Sequence, residues 1–135
     1  MVFRVAQLAC ATEVAAVREI LPVPAATRVP GAPPAVVGLI NIRGTLVTLV
    51  DARRALSQPA DDSVGTVILL EVASRTVGFA VDEVLDLITA LPGELAERED
   101  LPGIDPQLVR AVGRRAGVTY VLLNLDALLG SIMTS

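Results

Sequence analysis

The sequence predicts a mainly β fold, and three observations support this prediction. Short apolar runs rich in Val, Ile and Leu recur along all 135 residues and are separated by Gly, Pro, Ser or Asp, as in chains of antiparallel strands. Apolar residues make up 53% of the chain, which is enough to fill a core at this length. The segment LVTLVDARRAL closes a β run on Asp51 before a short helix, and VLLNLDALLG repeats this pattern at Asp126. Two related lobes would explain the repeat, although strand, Asp cap and short helix are also a common local arrangement.

The N-terminal part predicts a hairpin followed by an ordered connector. Val2–Ala9 and Thr12–Ala15 are rich in β-forming residues, with the reversal expected at Ala11 and Thr12. The segment Val17–Leu21 then leads into a stretch whose five prolines exclude a continuous helix or a central strand. We therefore expect a connector or a sheet edge in this region.

The segment Gly38–Asp51 predicts a second hairpin. Its two β-branched runs break at Arg43 and Gly44, and a glycine there can adopt the positive φ that a tight turn requires. Asp51 then precedes the sequence ARRAL, and its carboxylate can accept the free amide hydrogens of a first helical turn. A short helix is expected over Ala52–Leu56.

The second half of the chain predicts a further meander and a last hairpin. Residues Ser57–Ser63 are expected to form a surface loop, and Leu91–Pro106 a solvated excursion with little core of its own. Reversals are expected at Ala73–Ser74 and at Ala116–Gly117. The β runs are Val64–Val72, Arg75–Val81, Val84–Ile88, Val109–Arg115 and Val118–Leu125.

Charge and residue usage exclude several classes of function. The 11 basic and 15 acidic residues give a net charge of −4. The chain therefore lacks the excess of basic residues that binding to a nucleic acid or to an acidic membrane surface requires. The chain has no His and all its basic residues are Arg, which excludes a histidine base and a lysine nucleophile. The single Cys10 cannot form an internal disulfide and is expected to be a buried, inert thiol. Because neither a leader peptide nor a membrane-length apolar stretch is evident, a cytoplasmic protein is expected.

The order of the segments resembles the CheW-like domain, the adaptor module of bacterial chemotaxis signalling. The resemblance spans nearly the whole chain and is carried by four segments: Val17–Ile20, Arg28–Asp51, Gly78–Val84 and Val121–Leu129. It implies a single domain over residues 1–135, made of two intertwined five-stranded, SH3-like β-barrels with a groove between them.

The resemblance also implies a function without catalysis, cofactor or metal. Family members link the cytoplasmic tips of chemoreceptors to the regulatory domain of the histidine kinase CheA. An adaptor of another two-component pathway, controlling surface motility or development, is the alternative within the same fold. The alternative from another class is a small enzyme that uses Asp51 and Asp82 as paired carboxylates.

Five residues are the candidates for receptor binding. Strand alternation would place Asn41 and Arg43 on the face opposite the apolar one, and the resemblance ties Arg43 to receptor coupling. The competing interpretation is an arginine that only orders its own hairpin. Val17 and Ile20 match positions that line the receptor groove in the family, with core packing as their alternative. Glu19 matches an acidic family position with a supporting role.

Overall fold

The computed structural model describes residues 1–24, 26–59, 65–86, 94–97, 104–115 and 117–133. Within these ranges the chain forms two β-sheets, two α-helices and two 3-10 turns, so the expected mainly β fold is confirmed. None of the described helices has the length and apolar content needed to cross a membrane.

Within the described residues the chain has eleven strands, two α-helices and two 3-10 turns. The 3-10 turns span Val14–Ala16 and Pro106–Leu108. The helices are α1 (Ala52–Ala55) and α2 (Leu125–Met133). The strands are β1 (Val2–Val5), β2 (Leu8–Ala11), β3 (Val17–Pro22), β4 (Val36–Ile42), β5 (Thr45–Asp51), β6 (Thr66–Val72), β7 (Arg75–Val81), β8 (Glu83–Asp86), β9 (Leu95–Glu97), β10 (Val109–Arg115) and β11 (Val118–Leu123).

The two sheets share one strand arrangement. The first sheet has the order β8-β1-β2-β11-β10-β9, and the second has the order β3-β6-β7-β5-β4. In each sheet the third and fourth strands pair in parallel, and the other neighbours pair antiparallel. In each sheet the hairpin that supplies the fourth strand leads directly into a helix. The sequence repeat therefore corresponds to two related lobes, and β9 is an additional strand of the first.

Aliphatic side chains fill most of the interior. The main core joins both sheets, and in it the rings of Phe3 and Phe79 meet edge to face with their centroids 6.1 Å apart. Cys10 is buried in this core as expected, and burial raises the pKa of its thiol to about 12. On the other face of the second sheet, side chains from neighbouring strands pack together in a small core: Ile40, Val47, Leu49, Val67 and Leu69.

The second sheet curls around the small core. Thr27, which follows β3, forms a two-way backbone bridge with Leu39 on β4, and both N···O distances are 2.8 Å. Gly38 permits this approach, because a Cβ atom there would lie 2.3 Å from the carbonyl oxygen of Thr27. Since a flat five-stranded sheet would hold its edges roughly 19 Å apart, the bridge shows that the sheet closes toward a barrel.

One residue, Asp82, connects the two sheets along the chain between β7 and β8. Its carboxylate accepts hydrogen bonds from Arg53 Nε at 2.9 Å and from Arg53 Nη2 at 2.5 Å on the side of the second sheet. On the side of the first sheet it accepts from Arg4 Nη1 at 3.0 Å and from the backbone N–H of Ala6 at 2.9 Å. The side chains of Asp82 and Arg53 are only 10% and 15% exposed. A largely buried carboxylate therefore fixes the crossing from one lobe to the other.

The opening hairpin differs from the expected one. Its reversal lies at Ala6 and Gln7 rather than at Ala11 and Thr12, and the segment after β2 forms a 3-10 turn instead of a strand. Ala6 takes a positive φ of 54°. The sequence offers no Gly, Asn or Pro to mark a turn there, which is why β propensity alone extended the first strand too far.

The C-terminal half departs from expectation at three elements. The run from Val84 supplies β8, which pairs with β1 of the first sheet instead of extending a meander, and residues 87 and 88 lie outside the described residues. The described parts of the excursion contribute β9 and the buried Ile104, so they do add to the fold. The helix α2 is capped by Asn124, whose Oδ1 accepts from the N–H of Ala127 at 3.1 Å, and not by Asp126.

Most of the expected Ser57–Ser63 loop lies outside the described residues.

The expected cap at Asp51 is confirmed and can be tested. Its Oδ1 accepts a hydrogen bond of 2.9 Å from the N–H of Arg53 in α1. The substitution Asp51→Ala is expected to lower the free energy of unfolding by about 1 kcal/mol, because this N–H loses its acceptor. Urea denaturation measures the change. Asp51→Asn is the matched control and should retain most of the stability, because an amide oxygen also caps; equal losses would contradict the capping role.

The crossing at Asp82 predicts a dependence of stability on pH. Its hydrogen bonds from Arg53 hold the pKa of Asp82 below the ordinary value of 3.8. As pH falls below about 4 the unfolded chain takes up a proton that the folded chain does not, so stability should fall. Asp82→Asn should cost about 2–4 kcal/mol at pH 7 and show a smaller further loss between pH 5 and pH 3. Parallel pH profiles for variant and parent would show that Asp82 does not contribute.

Candidate partner-binding surface

The candidate surface is built around the turn of the β4–β5 hairpin. Arg43 and Gly44 form a two-residue loop with φ values of 50° and 85°, as in a type I′ turn. The side chain of Asn41 supports the turn, because its Oδ1 accepts the N–H of Gly44 at 2.8 Å. Arg43 therefore lies in the turn and not on a strand face, so the expectation from strand alternation is wrong for this residue and holds for Asn41.

Glu19 and Arg43 meet although the sequence separates them. Glu19 lies on β3, at the opposite edge of the sheet from β4, and its carboxylate accepts a hydrogen bond from the guanidinium of Arg43. This hydrogen bond lowers the pKa of Glu19. The two side chains remain 31% and 72% exposed, and an exposed ion pair of this kind contributes little to stability. Among the described residues Glu19 is the only side chain that Arg43 binds, so most of its donors face solvent.

A bulge in β3 places Val17 and Ile20 on one face of the sheet. In a regular strand, side chains three positions apart point to opposite faces. Here the register shifts between Val17 and Glu19, which brings the two side chains to the same face. Val17 then lies opposite Leu70 and Ile20 opposite Ile68, and both partners belong to the main core. Val17 is half-buried against that core, whereas Ile20 is 44% exposed. Of the two, Ile20 is the one available to a partner.

The structure adds Leu46, which sequence reasoning missed. It lies opposite Asn41 across the hairpin and is 66% exposed, more than any other large apolar side chain described. The available signal was its position in β5, where it alternates with the inward-facing Val47 and Leu49. We call Glu19, Ile20, Asn41, Arg43 and Leu46 the turn surface.

An apolar groove begins two residues beyond Leu46 on the same face of β5. A cavity of about 280 Å³ lies between α2 and the second sheet, with Thr48, Val50, Val77 and Leu129 among its lining residues. Arg75 and Asp126 supply polar groups to it. The turn surface and this groove together offer paired charges beside apolar pockets, which suits binding of a partner more than chemistry on a small molecule.

The two carboxylates considered for catalysis are engaged in structural contacts. Asp51 caps α1, and Asp82 binds Arg4 and Arg53. A general acid in a carboxylate pair needs a raised pKa, whereas the pKa of Asp82 is lowered. Nothing in this geometry favours the enzyme hypothesis.

Comparison with known proteins identifies the family. A family model described as CheW-like domain matches residues 1–133. The chain belongs to the CheW-like domain family. It is 32% identical over 132 residues to the chemotaxis protein CheW of Rhizobium meliloti, an alignment that covers 96% of this chain and 85% of that protein. It is 37% identical over 71 residues to the chemotaxis protein CheW of Bacillus subtilis, covering 51% of this chain and 46% of that protein.

The fold agrees with a solved structure. The scaffolding protein TtCheW from Thermoanaerobacter tengcongensis superposes with a TM-score of 0.88, over 94% of this chain and 88% of that chain. Since the two sequences are only 20% identical, this similarity bears on the fold. It supports the arrangement of two lobes described above.

Proposed function

We propose that this protein is a cytoplasmic, non-catalytic adaptor that couples the tips of chemoreceptors to a CheA-type histidine kinase. Membership of the CheW-like family and the similarity to chemotaxis proteins named CheW support this function. We also propose that residues 1–135 act as one domain, because the first sheet uses strands from both ends of the sequence.

The turn surface is the proposed receptor site, and the exposed Arg43 is the observation that carries the proposal. A guanidinium presents a rigid fork of donors that matches carboxylates and backbone carbonyls. Ile20 and Leu46 add exposed aliphatic side chains, and an amphipathic helix of a receptor tip would bury its apolar face against such side chains. Glu19 supports the site by orienting the guanidinium, and Asn41 by holding the turn.

Removal of the Arg43 side chain separates a binding role from a structural one. Arg43→Ala is expected to weaken receptor binding about tenfold or more, because charge-assisted hydrogen bonds are lost. Arg43→Lys should recover little, since an ammonium lacks the planar fork. The melting temperature should barely change, because the ion pair with Glu19 is exposed. Affinity for a receptor-tip fragment and the melting curve are measured on the same preparations.

The structural interpretation of Arg43 makes the opposite prediction. It expects a lower melting temperature and a parallel loss of receptor and kinase binding, because the whole hairpin would loosen. A folded Arg43→Ala protein that binds receptor as tightly as the parent would refute the proposed site.

Direct binding of the kinase is the second expectation of the adaptor function. Titration of the regulatory domain of the cognate kinase should give a reversible complex with a dissociation constant of about 10 µM or tighter. Calorimetry with the parent chain measures it, and Arg43→Ala should bind equally well if receptor and kinase use different surfaces. The absence of a complex at high micromolar concentration would contradict the adaptor function.

A further inference from the structure

A second cavity, lined by both charged and aliphatic side chains, lies at the other end of the β4–β5 hairpin. Its volume is about 440 Å³, and it is formed by the connector before β4, the start of β4 and the start of α1. We call it the arginine cavity, after the two arginines that line it. The residues on which the argument depends are Arg28, Val29, Val37, Asp51 and Arg54.

The charges of this cavity are incompletely matched. Arg28 has no hydrogen bond or ion pair with any described residue. The ion pair of Arg54 is a long contact of 3.7 Å to Asp51, whose other oxygen already caps α1. Two guanidinium groups and one carboxylate therefore leave a local excess of positive charge in a chain whose net charge is −4. Such a site favours a carboxylate.

Apolar side chains adjoin these charges. Val29 and Val37 both line the cavity and are 40% and 38% exposed. An arginine pair beside aliphatic surface fits a peptide segment that carries an acidic residue next to an apolar one. An inorganic anion would use the arginines and leave the valines exposed.

The connector that forms the wall is held in place at several points. The N–H of Ala32 donates to Val29 O at 3.2 Å, and the N–H of Val36 donates to Pro33 O at 2.9 Å. The bridge between Thr27 and Leu39 anchors the other end of the wall. Pro33 and Pro34 restrict the backbone further. The cavity is thus formed before a partner arrives, which lowers the entropic cost of binding.

The arginine cavity and the turn surface lie at opposite ends of one hairpin. The strand from Val36 to Ile42 separates them, which at about 3.3 Å per residue is a distance of roughly 20 Å. Partners at these two places need not overlap. This separation is what an adaptor requires in order to hold two proteins at once.

We propose that the arginine cavity binds an acidic segment of the second partner, with a carboxylate side chain between Arg28 and Arg54. The identity of that partner rests on the proposed function: because the turn surface is assigned to the receptor, the acidic segment belongs to the regulatory domain of the kinase. The apolar neighbour of the carboxylate packs against Val29 and Val37.

The test measures kinase and receptor affinities for the full chain and for the double variant Arg28→Ala with Arg54→Ala. Kinase binding should weaken about tenfold or more, and receptor binding should stay within twofold of the parent. Raising the salt concentration from about 0.05 to 0.5 M should weaken kinase binding by the parent more than by the variant, since screening removes the charge contribution. Melting curves establish that the variant is folded.

A charge-matched control and a conservative variant complete the test. Arg110→Glu changes the net charge by the same amount as the double variant, at an exposed site near the start of β10 in the other sheet. It should leave kinase binding unchanged. Arg28→Lys alone should lose part of the affinity, because a point charge replaces the fork.

The outcomes separate this inference from the adaptor function itself. If the parent binds no kinase, the adaptor function fails. If the parent binds kinase and the double variant binds it equally tightly, the adaptor function stands and the arginine cavity is refuted as the site. A loss of receptor affinity in place of kinase affinity, or an equal loss in Arg110→Glu, would also overturn the assignment.

Discussion

The hydrogen bonds that the Asp82 carboxylate accepts from two arginines are the interaction that joins the two lobes. The chain passes from the second sheet to the first at this single residue, and its oxygens bind Arg53 on one side and Arg4 on the other. A carboxylate so little exposed is stable only because these donors compensate for its lost hydration. The main core packs against both sheets, and the groove beside α2 lies between that helix and the second sheet.

Closure of the second sheet has a comparable effect on the binding surface. The contact of Glu19 with Arg43 exists only because the edges of the sheet approach each other. The same closure presses the proline-rich connector against β4, where it forms the wall of the arginine cavity. One curled hairpin therefore presents an exposed ion pair at its turn and unpaired positive charge at its open end.

The scarcity of aromatic residues shapes how this protein can bind partners. Its two Phe rings pair inside the main core, and its single Tyr lies over Gly113, where a Cβ atom would come within 2.1 Å of the ring. Aromatic anchors are thus used for packing and are absent from the turn surface. The proposed receptor site therefore offers Arg43 together with aliphatic side chains such as Leu46, and the residues of the arginine cavity have the same character. Such surfaces suit reversible assembly.

The sequence alone determined the fold class, most strands, the Asp51 cap and the family, because these depend on local periodicity, turn residues and motif order. It also identified Glu19, Ile20 and Arg43 as separate candidates for receptor binding. Only the tertiary structure decided that Glu19 reaches Arg43, that a bulge turns Val17 and Ile20 to one face, and that Leu46 is exposed. Each of these depends on how the sheet curls and on strand register, which involve residues far apart in the chain. Local propensity carries no record of such long-range contacts. It misplaced the first turn for a local reason, because no Gly, Asn or Pro marks Ala6 and Gln7, and it misplaced the cap of α2 because Asn124 and Asp126 are both common capping residues.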